Sequence, residues 1–211
     1  DHGVAPKGVS HLEFRHTLFQ EMLADRPTPH RLLFRDNEVP GPFNRLASMA
    51  LTAQRLNTRE VYVMDSGMAA MAGAAQDAQA LDKAPILIMD VATSHTVVAA
   101  LEGGQLAGFV EYHTRDITLD RLERLLVDLA GGRLSHDQIL AEGGHGAWVR
   151  KAVGFDRVQA IIATGPKRRL LVGSRLPILW GAPWGDNMMT GTVGLLESLR
   201  QRKGLGPMRY I

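Results

Sequence analysis

Cysteine is absent from the 211 residues. That excludes disulfides, thiolate metal sites, iron–sulfur clusters ligated by this chain and a cysteine nucleophile. It also suits a cytoplasmic location. Aromatic residues are scarce, at 6%, and none interleaves the basic clusters Lys167-Arg-Arg169 and Arg200-Gln-Arg-Lys203. Those clusters read as solvated faces or helix ends, and no nucleic-acid partner is expected. Charge of one sign is lacking too: the net value of +2 argues for no partner by itself. No apolar run is long enough to span a membrane, and no secretory signal pattern is legible at the start. The phosphate loop G-x-x-x-x-G-K-[ST], the nucleophile elbow G-x-S-x-G and the zinc-binding spacings H-x-x-x-H and H-E-x-x-H do not occur.

What is present suffices for a substantial core. Hydrophobic residues make up 45% of the chain, and one domain, or one large domain with a small appendage, is expected. Residues 1–58 read as a mostly helical segment that completes or covers the domain. Within it, His11 to Ala24 has helical apolar spacing, with Ser10 and Glu13 placed as a capping box. Pro27, Pro29, Pro40 and Pro42 make Asp25 to Pro42 mostly loop, with Arg31 to Phe34 as a short extended piece. Phe43 to Leu56 reads as a second helix.

Residues 59–211 carry an α/β pattern. Glu60 to Met64 is a predicted strand, Gly67 to Gln76 a helix of small residues, and Pro85 to Asp90 a buried strand ending in an acid. Thr96 to Leu101 and Gln105 to His113 form the arms of an antiparallel extension around the turn Glu102-Gly-Gly-Gln105. Leu119 to Ala130 is amphipathic, with Thr118 as N-cap and Gly131 as stop. Ser135 to Leu140 adds a short helix. Val158 to Ala163 is a buried strand by its apolar run, Leu176 to Trp180 another, and Met188 to Leu199 a final helix. Three adjacent strands and then strand–helix alternation predict a mixed sheet of five strands flanked by helices.

Four blocks resemble actin-like ATPases, the ribonuclease H-like superfamily of actin, chaperone ATPases and sugar kinases. Asp65-Ser-Gly-Met-Ala-Ala70 is similar to its first linking helix. Asp90, Ala92, Ser94 and Thr96 occupy positions of its second phosphate loop, D-x-G-x-G-x-T, with both glycines replaced. Ala163-Thr-Gly-Pro166 resembles its adenosine-contacting turn, and Gly185-Asp-Asn-Met-Met-Thr-Gly191 its second linking helix. A closer resemblance spans nearly the whole chain. Asp1-His-Gly, Gly8-Val-Ser10 with Phe14-Arg15, Glu111-Tyr-His-Thr114, Gly143-Gly-His-Gly-Ala147 and Gly185-Asp through Gly194-Leu-Leu196 are similar to a prokaryotic domain-of-unknown-function family labelled "pyruvate formate-lyase activating enzyme-like". Radical activation of that kind needs a cysteine-bound cluster, which these residues cannot supply.

The resemblance implies ATP and Mg²⁺ as cofactors, with ATP hydrolysis or phosphoryl transfer as the reaction. It also implies a segment ahead of Asp1 bearing a first phosphate loop. Half a cleft is therefore expected here, the remainder coming from the N-terminal half of the same protein or from a second polypeptide. Self-association is the other expectation, through apolar faces of the small-residue helices Gly67 to Ala75 and Met188 to Leu196. Asp90, at a strand end, is placed to hold Mg²⁺ or to cap the hairpin. Ala92, Thr93, Ser94, His95 and Thr96 would contact phosphate through amides, hydroxyls and a ring nitrogen. Thr164, Gly165 and Pro166 would contact the adenosine, and Gly185 and Asp186 would also bind the cofactor. Asp65 reads as an N-cap or, in a small-molecule kinase, as general base. A non-catalytic assembly or scaffold module with an altered phosphate loop is the competing function. His145, in its glycine loop, could face a cleft or stay bland. His2 and His113 could join it around a metal, although no ligand spacing favours this.

Overall fold

The computed structural model describes residues 3–115 and 117–208. A six-stranded mixed sheet has the order β6-β5-β4-β3-β7-β8. Its strands are β3 (Ile86–Val91), β4 (His95–Glu102), β5 (Gln105–His113), β6 (Gly146–Val149), β7 (Ala160–Thr164) and β8 (Ile178–Trp180). Strands β3 to β6 form an antiparallel meander, while β7 and β8 run parallel to β3. A separate ribbon pairs β1 (Leu33–Arg35) with β2 (Tyr62–Met64). The helices are α1 (His11–Leu23), α2 (Asn44–Ala53), α3 (Ser66–Ala74), α4 (Leu119–Ala130), α5 (His136–Ala141) and α6 (Thr190–Arg202).

Strand periodicity divides the core into two layers. Ile86 and Ile88 of β3, Val97 and Ala99 of β4 and Ile162 of β7 face the side covered by α1, α2 and α3. Leu87, Met89 and Val91, with Val98, Val110 and Ile161, face α4 through Leu122, Leu125, Leu126 and Leu129. Phe19, Leu23, Leu32, Phe43 and Leu46 share the first layer with the central strands. The N-terminal segment thus covers one sheet face. Thr118 caps α4 by accepting from Arg121 N, and Gly131 ends it.

The sheet has six strands where five were expected. One of the six, β6, opens at Gly146, pairs with β5 and was not anticipated; the glycines around it disguise a strand as a loop. The strand expected at Glu60 to Met64 lies outside this sheet and pairs with β1. Ser10 caps α1 by accepting from Leu12 N. Glu13, expected to close a capping box, instead places Oε2 3.1 Å from His136 Nε2.

The small-residue helices pack on each other, so the face of α3 expected to meet a partner is covered within the chain, while Met188, Met189 and Leu196 of the second stretch stay exposed. Residues Met68 to Ala74 of α3 are all buried. A Cβ at Gly73 would lie 1.8 Å from Thr190 O, and one at Gly194 would lie 1.8 Å from Ala69 O. The two backbones approach as closely as hydrogen in place of Cβ allows. No helix among the described residues is long and apolar enough to cross a membrane.

Candidate functional site

Chain reversals at one end of the sheet gather polar side chains. Asp65 follows β2 and caps α3, its Oδ1 accepting from Met68 N at 3.1 Å. Asp90 is the penultimate residue of β3. Ala92, Thr93 and Ser94 make the turn into β4, which begins at His95. These residues line a cavity of about 480 Å³ together with Ser66, Gly67, Arg15 and Arg45.

The turn is built without glycine at no conformational cost, since none of its residues has positive φ. Ala92 N donates to His95 O and closes it, so that amide is spent on the hairpin. The amides of Thr93 and Ser94 have no protein acceptor among the described residues. Asp90 Oδ1 accepts from the Thr164 hydroxyl at 2.8 Å. Burial pushes the Asp90 carboxyl above its ordinary range, and the Thr164 hydrogen bond only partly opposes this. The His95 ring is held below its usual value, chiefly by desolvation.

The other expected contacts are placed differently. Thr96 is fully buried, with its hydroxyl 2.9 Å from that of Thr114, and it does not line the cavity. Thr164 donates its hydroxyl to Asp90 and does not line the cavity. Gly165 has φ +93°, and a Cβ there would lie 2.5 Å from Val91 O. Its backbone is held by the Asn187 side chain, at 2.9 and 3.2 Å. Pro166 lines an adjoining hollow of about 980 Å³ with Thr93, Ser94 and His113. Asp186 accepts from Met188 N ahead of α6, and neither it nor Gly185 reaches the cavity around Asp90.

Two arginines and a histidine cluster escaped assignment from the sequence. Arg15 is 8% exposed and pairs with Glu111 Oε2 at 2.6 Å, while its buried Nε has no acceptor among the described residues. Arg45 has no ion-pair partner among them. Arg15 stands in the Phe14-Arg15 part of the family resemblance without an assigned role, and nothing in the sequence marks Arg45. His95 and His113 are cross-strand neighbours. His145 joins them because its amide donates to Glu111 O at the start of the β5–β6 pairing. Its Nε2 lies 3.0 Å from His113 Nε2, and its Nδ1 lies 3.1 Å from Glu111 Oε1. Burial pushes the Glu111 carboxyl upward. The His145 hydrogen bond and the Arg15 charge outweigh it and hold the group at about 2. His2 lies outside the described residues.

Asp90 gives a prediction. A carboxyl raised in the fold subtracts stability as pH climbs through its folded pKa, because the unfolded chain ionises more readily. Asp90→Asn keeps an acceptor for Thr164. It is expected to raise Tm at neutral pH and to leave it unchanged below about pH 3, where both states are protonated. Thermal melts across pH check this; a lower Tm for the variant at neutral pH would contradict it.

Fold and site together define a mixed α/β protein with a cleft of carboxylates, arginines and histidines at one end of its sheet. The chain belongs to the family described as "Putative pyruvate format-lyase activating enzyme (DUF1786)", whose profile matches residues 1–170. No curated protein matches it.

Proposed function

We propose that this protein binds ATP with Mg²⁺ in the cavity between Asp65, Asp90 and the β3–β4 turn, as one wall of an actin-like cleft, and that the cleft supports ATP hydrolysis or phosphoryl transfer. The second wall would be an N-terminal segment or a second polypeptide. One observation carries the reading. A buried arginine donor without an acceptor, Arg15 Nε, belongs to a residue lining the same cavity as a desolvated carboxylate, Asp90. The first suits an anionic oxygen and the second a hard cation. Arg45 and the amides of Thr93 and Ser94 add donors for phosphate. A volume of about 480 Å³ falls within the range of small-ligand sites.

The fold lends further support. The β3-β4-β5 meander continues into parallel β7 and β8, and small-residue helices stand before and after it, as the actin-like resemblance implies. Two alternatives keep specific observations of their own. Closure of the turn by Ala92 N–H favours a non-catalytic assembly module, since that amide is withdrawn from phosphate. Asp65, in the cavity wall, suits a small-molecule kinase in which it takes the acceptor proton, although its Oδ1 already caps α3.

Calorimetric titration with Mg-ATP tests the reading. The 211-residue chain is expected to bind more weakly than micromolar, since one phosphate loop clamps from one side only. Arg45→Ala should weaken binding further. No heat at millimolar Mg-ATP, or affinity untouched in Arg45→Ala, would overturn the assignment.

A further inference from the structure

Beyond the nucleotide reading, we propose that His95, His113 and His145 bind a transition-metal dication of the zinc class, with a fourth position open to water or a small anion. The three rings come from the ends of adjacent strands. His95 opens β4, His113 closes β5 directly opposite, and His145 precedes β6. One ring nitrogen from each lies within 4.8 Å of the others. Tetrahedral zinc with Zn–N bonds of about 2.0–2.1 Å separates its nitrogens by about 3.3 Å, so small side-chain rotations close the set.

The surroundings of His145 point to a metal as well. The Glu111 carboxyl, paired with Arg15, faces Nδ1 at 3.1 Å. A carboxylate there accepts a hydrogen bond from Nδ1–H and so fixes the tautomer that leaves a lone pair on Nε2. That lone pair faces the other two rings. The order carboxylate, histidine, metal is the usual outer support of a histidine ligand, fixing its orientation and raising its basicity. His145 is buried, His95 half-buried and His113 exposed. The centre is therefore anchored on the protein side and open toward the hollow shared by His113, Arg115 and Lys167. Three imidazoles favour zinc, nickel, cobalt or copper over Mg²⁺, which separates this site chemically from the Asp90 carboxylate nearby. The loop geometry fits the same purpose. Gly146 has φ +102°, and a Cβ there would lie 2.4 Å from the His136 ring, so glycine is needed to bring His145 inward.

The test uses tag-free protein, stripped with chelator and titrated with Zn²⁺ against a chromophoric competitor, and with Co²⁺ followed by visible d–d absorption. Expected are about one equivalent bound at micromolar affinity or tighter and tetrahedral Co²⁺ bands. His113→Ala, at an exposed position, should abolish both without changing the circular dichroism. Glu111→Gln should weaken binding by about 10–100-fold; unchanged affinity there would remove the carboxylate from the account. A second possible cluster, Glu13, His136 and Asp137, serves as control. Loss of binding in His136→Ala with retention in His113→Ala would overturn the proposal, as would failure to retain any stoichiometric metal. No nucleotide is needed, so this result is independent of the Mg-ATP reading.

Discussion

Gly194→Ala is expected to cost the fold about 3 kcal/mol or more, at the upper end of overpacking penalties. The added methyl would lie 1.8 Å from Ala69 O and 2.6 Å from Gly73 N. Both atoms are backbone of a buried helix, so no side chain can swing aside. Gly73→Ala meets Thr190 O at 1.8 Å and should behave alike. Relief requires separating α3 from α6 and so loosening the layer in which Met68, Met71 and Ala74 pack on the sheet. Gly191, one residue into α6, is the control: nothing lies within 4 Å of its would-be Cβ. Gly191→Ala should be neutral or stabilising by up to about 1 kcal/mol, from helix propensity alone. Denaturant unfolding of the three variants decides it. Equal stability of Gly194→Ala and Gly191→Ala would contradict the close helix contact.

Arg15→Met should lower stability by about 3–5 kcal/mol at neutral pH, the usual cost of removing one partner of a buried ion pair. For a chain of this size that is on the order of 10 °C in Tm. Methionine preserves much of the packing over Phe19, where the guanidinium lies 4.5 Å from the ring centroid. The loss therefore falls mainly on Glu111, left buried with His145. The sign of the pH dependence follows from Glu111, whose carboxyl falls from 4.5 to about 2 in the fold. Its stabilisation is fully present above its unfolded pKa and is lost as pH falls through the folded value. The gap in Tm between wild type and Arg15→Met should accordingly narrow as pH falls from about 5 toward 2. A gap independent of pH would reduce Arg15 to a packing residue.

Much of the architecture was legible because it rests on local pattern. Gln105 to His113 and Leu119 to Ala130 coincide with β5 and α4. The first alternates between two buried layers, and the second carries its own cap, stripe and stop. Val158 to Ala163 was found as a strand, shifted slightly toward Thr164, since a continuous apolar run has no internal marker of its ends. β6 was hidden because its first residue and the loop before it are glycine-rich, and its pairing depends on an edge only the folded sheet provides. The small-residue helices were read as surfaces awaiting a partner. Small residues announce a close contact without saying whether the contact lies within the chain or between chains.

The site divides the same way. Asp65, Asp90 and Ala92 to His95 were singled out through the resemblance to an actin-like linking helix and phosphate loop, and the fold brings them into one cavity. Thr96 was misplaced by one face of a strand: it points away from the cavity and bonds to Thr114. Arg15 and Glu111 stood in blocks of the family resemblance and Arg45 in none; their meeting at the cavity arises only from packing the N-terminal segment on the sheet. The histidines were each noticed, but their spacings of 18 and 32 residues match no linear ligand pattern. Only the register of β4 on β5, and of β5 on β6, brings them together.

The most direct test of the cleft is a crystal structure with Mg²⁺ and a non-hydrolysable ATP analogue. The account predicts phosphate density against the Thr93 and Ser94 amides and Arg45, with a cation bound to Asp90 directly or through water. Nucleotide ordered elsewhere, such as the broad hollow beside Arg115, Arg121 and Arg124, with the Asp90 cavity holding only water, would contradict it.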